Sequence, residues 1–138
     1  MLTERKNAHI ALCRFFEKGI LVQEAELSPF ALELAMGVCR RHLFLEYVLK
    51  KQVKKMPALK VSLLLEMGVY QLFFMESVPE HAALHTTVEL AKEIKCPENQ
   101  VRFVNGVLRN ILRQGLPELP SKRIKKISIK NSVPEWLV

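Results

Sequence analysis

The segment from Ala58 to Met75, ALKVSLLLEMGVYQLFFM, is apolar on nearly every side of a helix. A helix without a polar face has to be enclosed, either by lipid or by other helices. Lys60 and Glu66 fall inside it and argue against lipid, so the rest of the chain has to provide the enclosure. Apolar residues do recur three and four positions apart in one segment after another, and strand-like alternation is scarce. Only five glycines interrupt a chain of 138 residues that is 49% hydrophobic. The expectation is an all-α bundle of about six to seven helices, built as one core around this central segment.

Punctuation residues place the other helices. The first is expected to start with Thr3 as N-cap, to bury Ala8, Ala11, Leu12, Phe15 and Phe16, and to end near Gly19. Ser28-Pro29 opens a second, because the serine oxygen accepts from free N–H groups and proline needs none at the first position. Leu27 is placed to staple onto Leu32, and Ala31, Leu34, Ala35 and Val38 form the core face. A third runs from about Leu43 to Lys55, closing on Lys50, Lys51, Lys54 and Lys55, whose charges suit the negative end of a helix dipole. Pro57 precedes the central helix, Pro79 opens a fifth on Leu84, Val88 and Ala91, and Cys96-Pro97 separates that from a sixth reaching about Gly115. The helical domain is thus expected over residues 1–116. Residues 117–138, with three prolines and little periodic apolar surface, read as linker or tail.

Several chemistries are argued against by spacing alone. Cys13, Cys39 and Cys96 are odd in number and far apart, as expected of reduced thiols in a cytoplasmic protein and not of a disulfide framework or a zinc site. The opening residues carry charges too close to their short apolar stretch for a secretory signal. Isolated glycines at 19, 37, 68, 106 and 115 cannot cradle a phosphate or nucleotide. His81 and His85 stand one helical turn apart, with Glu89 a turn further on, a spacing open to metal ligation. Without an HExxH pattern or a nearby cysteine they read as surface residues, and no metal or cofactor is expected in this chain.

What remains is charge. Twenty-one Lys and Arg against 14 Asp and Glu leave a formal +7, which suits a polyanionic partner. In the sixth helix Val104, Val107, Leu108 and Ile111 share a core face, while Arg102, Arg109 and Arg113 fall within about 40° of one another on the opposite side at 100° per residue. Seven phenylalanines, two tyrosines and one tryptophan are mostly needed for the core, so RNA binding on such a stripe would rest on phosphates and shape more than on base stacking. A solvated surface face is the competing reading.

From Leu64 onward the residues become specific. Gly-Val-Tyr-Gln-Leu at 68–72, Val-Pro at 78 and 79, Val88-Glu89-Leu90-Ala91-Lys92 and Phe103-Val104-Asn105-Gly106-Val107-Leu108 together resemble the NusB superfamily. Physical roles suit several of them: Gly68 for a close helix approach, Pro79 for a first turn, Asn105 for an amide bridging helices. Within the superfamily, Arg109 after Leu108, Gly37-Val38-Cys39-Arg40, and the Pro134-Glu135-Trp136-Leu137 segment are similar to the NusB-like N-terminal domain of the Sun or RsmB type of small-subunit ribosomal RNA cytosine-5 methyltransferases. Cys39 departs from the usual leucine of that branch. Free NusB factors carry an arginine motif in the first helix; this chain keeps Arg5 and Lys6 but has His9 near an expected arginine.

The resemblance implies an accessory domain that positions ribosomal RNA or docks on its own C-terminal methyltransferase domain. S-adenosylmethionine and the catalytic cysteine would belong to that domain, which would follow the linker at 117–138 and is absent here. Cys96-Pro97 reverses the family's Pro-Cys order, so this chain alone is not expected to be an enzyme. Expected RNA contacts are Arg102, Arg109, Arg113, Lys50, Lys51, Lys54, Arg5 and Lys6; neither a membrane nor DNA is an expected partner. Two alternatives stay open: a free NusB-type antitermination factor binding RNA with a ribosomal protein, and an interaction module with no RNA contact.

Overall fold

A computed structural model describes residues 2–117, and every described element is helical. The helices are α1 (Leu2–Lys18), α2 (Pro29–Lys50), α3 (Leu59–Phe74), α4 (Glu80–Glu93) and α5 (Glu98–Gln114), with a 3-10 turn at Val22–Glu24. The tail expected at 117–138 lies, apart from its first residue, outside the described residues. No described helix is long and apolar enough to cross a membrane.

The enclosure required by the apolar segment is present. α3 packs against α1, α2, α4 and α5, and residues 61–71 are all buried. Two glycines make the approach possible. A Cβ on Gly68 would lie 2.7 Å from a Leu108 methyl on α5, and a Cβ on Gly37 would run into the ring of Tyr70 on α3. Tyr70 is in turn stacked on Phe74, ring centroids 5.5 Å apart.

The helix count is five among the described residues, fewer than the six to seven expected, because the second and third expected helices are one. Nothing between Val38 and Leu43 breaks a helix. The polar run of Arg40, Arg41 and His42 hides the apolar period, yet two of its side chains pack onto α3. The guanidinium of Arg41 sits 4.3 Å over the Phe74 ring, and His42 reaches Glu66. α2 ends at Lys50, so Lys51, Lys54 and Lys55 follow the helix instead of filling its last turn.

Caps account for some of the other boundaries, while α3, α4 and α5 start without a side-chain cap. Ser28 Oγ accepts from the Ala31 N–H at 3.2 Å and donates to Glu4 at 2.7 Å, tying the start of α2 to α1. Leu32, the expected staple partner, is exposed. Thr3 lies inside α1, which already includes Leu2. α4 closes with Cys96 N–H on the Ala91 carbonyl and Lys95 N–H on that of Lys92, a Schellman arrangement that puts Lys95 at φ 64.

Candidate nucleic-acid interface

α5 divides as its periodicity requires. Val101, Val104, Val107, Leu108 and Ile111 are buried, and Arg102, Arg109 and Arg113 are exposed. Two of the three arginines are braced on their own helix: Arg109 Nε donates to Asn105 Oδ1 at 3.0 Å, and Arg113 Nη2 donates to Asn110 Oδ1. Asn105 therefore orients an arginine instead of bridging helices, as its position in the motif suggested. Bracing one N–H of a guanidinium leaves its other donors available, since the group carries five.

The segment that follows α2 reaches the end of α5. Gln52 Nε2 donates to Gln114 Oε1 at 2.9 Å, so the chain just beyond α2 meets the last residue of α5. Lys50 is paired with Glu46 at 3.4 Å, Lys51 lies 5.1 Å over the Tyr47 ring, and Lys54 is exposed.

The two basic residues expected from the first helix behave differently. Arg5 is 1% exposed: its Nε donates to Gln71 Oε1 at 2.7 Å and its guanidinium lies 4.7 Å over the Phe30 ring. Burial lowers its pKa, with Glu4 opposing. It cannot reach a phosphate from there, which corrects its placement among the contacts. The signal was available, because Arg5 precedes Ala8 and Leu12 on the buried stripe of α1. Lys6 is partly exposed and pairs with Glu93 of α4 at 3.3 Å.

Between α4 and α5 lies a groove of about 620 Å³. Leu84 and Val88 form its apolar floor; His81, His85, Lys92, Asn105 and Arg109 supply polar groups along its sides. Glu89, considered above as a third metal ligand, is bound to Lys92 Nζ at 2.9 Å, and no group of three His, Cys, Asp or Glu among the described residues could hold a metal.

One thiol stands beside an imidazole in the described residues. Cys13 Sγ approaches His9 Nε2 at 3.8 Å. Burial, reinforced by Glu17, raises the thiol, while burial lowers the imidazole despite its bond to the Lys60 carbonyl. These directions oppose a thiolate–imidazolium pair. What the exposed face offers is a set of oriented cations beside a groove.

Residues 4–113 match the NusB family. A probable ribosomal RNA small subunit methyltransferase B of Bacillus subtilis is 37% identical over 110 residues, covering 77% of this chain but 24% of the relative. The Synechocystis protein with that name is 32% identical over 128 residues, covering 85% of this chain and 28% of its own length. The chain thus spans about a quarter of the methyltransferases it matches. A transcription antitermination protein NusB of Lacticaseibacillus casei is 29% identical over 99 residues, covering 68% of this chain and 73% of the relative. The matched residues take in nearly the whole helical body, including the enclosed α3 and the divided α5, and on that ground the chain belongs to the NusB family.

Proposed function

We propose that this domain binds ribosomal RNA through the exposed face of α5, as the accessory module of a small-subunit ribosomal RNA cytosine-5 methyltransferase. The observation that carries the reading is the Gln52–Gln114 bridge. It brings the segment that carries Lys51 and Lys54 to the end of α5 that carries Arg113, which supports reading two basic clusters distant in sequence as one surface. A solvated helix face has no need of such continuity, whereas a strand of phosphates does. S-adenosylmethionine binding and methyl transfer would fall to a catalytic domain outside this chain.

Replacing Arg102, Arg109 and Arg113 together by alanine tests the binding. None is part of the core, so helicity is expected to persist. Affinity for single-stranded RNA is expected to fall, and the slope of log affinity against log salt to flatten by about 2, at roughly 0.7 per phosphate contact. An unchanged slope in the folded variant would return the arginines to the solvated surface. The free-factor reading draws on the 73% coverage of the Lacticaseibacillus protein. The reading frame beyond residue 138 separates the two: a methyltransferase domain supports the first, a stop codon the second.

A further inference from the structure

We propose that the groove between α4 and α5 is a seat for one nucleotide of a single-stranded RNA, its phosphate on Arg109 and Asn105 and its base on the floor made by Leu84 and Val88. This rests on the RNA-binding reading and adds a place where the strand is read instead of only attracted.

The groove is polarised. α4 and α5 are joined by the short segment 94–97 and pack as an antiparallel hairpin. Arg109, far along α5, therefore lies toward the start of α4, where His81 and His85 stand. The Glu89–Lys92 pair lies toward the other end. The Arg109 Nε bond requires the amide of Asn105 to turn its oxygen to the arginine, which leaves the Nδ2 hydrogens as donors beside the guanidinium. Two side chains thus present fixed N–H groups at one end, the geometry an anionic oxygen takes. At the far end Lys92 ties up the groove's one acidic lining residue, and that bond, with the lysine's charge, holds the Glu89 carboxyl below its usual range.

An inorganic anion would use only the arginine end. Leu84 and Val88 give the groove an apolar floor, and His81 and His85 are exposed planar rings along its edge. An apolar floor beside planar rings suits the face of a nucleobase, and the volume of about 620 Å³ is ample for one nucleotide. It also supplies base contact without drawing on the core aromatics.

The test uses the full chain and follows the imidazole proton signals of His81 and His85 by NMR during titration with cytidine 5′-monophosphate, ribose 5-phosphate and inorganic phosphate. The nucleotide is expected to shift both signals and to bind about fivefold or more tighter than ribose 5-phosphate. Arg109→Gln should weaken all three probes; the double variant His81→Ala/His85→Ala should remove only the preference for the base. Equal affinity for nucleotide and ribose 5-phosphate, no shift with the nucleotide, or equally strong competition by hexaglutamate would overturn the seat. The two readings fail separately. If the histidine variant keeps full oligonucleotide affinity while the triple arginine variant loses it, the groove is wrong and the RNA face stands. If the arginine variant also keeps full affinity, the RNA reading itself falls.

Discussion

Replacing His42 by alanine is expected to destabilise this domain by about 3 kcal/mol at neutral pH, in the range for breaking a buried ion pair by removing one partner. Glu66, in the middle of α3, is 1% exposed, and His42 Nδ1 lies 2.8 Å from its Oε1. His42 Nε2 is 3.8 Å from Glu46, and Phe16 packs on the imidazole at a centroid distance of 4.5 Å. The lower end of the range applies because the His42 side chain keeps 23% of its exposure, so water recovers part of what the carboxylate loses. In a domain of this size that corresponds to a Tm lower by about 10 °C. Urea titration followed by circular dichroism measures it. Adding Glu66→Gln should recover most of the loss, since an amide can be buried without a counterion.

The pH dependence has a definite sign. Burial alone would lower His42, but the hydrogen bond to Glu66 and the charges of Glu66 and Glu46 outweigh it, against opposition from Lys50, and its pKa is raised. Its stabilisation is therefore complete below the unfolded value near 6.5 and is lost as pH rises through the folded value. Glu66 is raised by burial, only partly offset by His42, so its contribution also falls as pH rises above about 4.5. His9 is lowered by burial and works in the opposite direction below 6.5, but it is common to both proteins and cancels in the difference. Glu66→Gln alone should flatten the decline in stability as pH rises above about 6.5. Parallel profiles for the two proteins, or His42→Ala within about 0.5 kcal/mol of the parent, would refute the pairing as a source of stability.

Three further outcomes follow from the packing. Gly37→Ala should cost about 2–3 kcal/mol by driving a Cβ into a Tyr70 ring held against Phe74, and more than Gly68→Ala, whose neighbour Leu108 can turn its methyls aside; equal losses in chemical denaturation would contradict the ranking. Cys39, pushed up to about 11 by burial and the charge of Glu66, should react with iodoacetamide at pH 7.5 at least tenfold more slowly than in the unfolded chain, and comparable labelling by mass spectrometry would contradict its environment. Arg5→Ala should lower stability by about 2 kcal/mol, because Gln71 Oε1 is left buried without its donor, while the salt slope of RNA binding stays unchanged; a flattened slope would return Arg5 to the binding surface.

The parts of this fold legible in the sequence are those governed by period. α3 had to be enclosed because nearly every face is apolar, and α5 had to divide because valines and arginines alternate on its turn. Gly68 could be assigned to a close approach from its place in the apolar helix. Pairings across the chain could not be read. His42 and Glu66 are 24 positions apart, and no local rule marks a run such as 39–42 as part of a continuing helix. Polar side chains that satisfy buried partners look, in sequence, like a loop. The Gln52–Gln114 contact has the same character: each glutamine is unremarked alone, and only the packing of the bundle brings them together.

Arg5 and Arg109 show why residue type is a poor guide to role in this fold. Both carry a guanidinium with one N–H bound to a side-chain amide oxygen, Gln71 for the first and Asn105 for the second. The difference lies in what surrounds the remaining donors. Arg5 is on the buried stripe of α1 with Phe30 over its plane, so its charge links α1 to α2 and α3. Arg109 lies opposite the buried valines of α5, so the same bracing leaves a rigid set of donors pointing to solvent. Lys6, the next residue of the first helix, is partly neutralised by Glu93. Exposed cations also stand elsewhere among the described residues, at Arg14, Lys18, Arg40, Lys60 and Lys95, so what sets the α5 face apart is the bracing of its arginines and not charge alone.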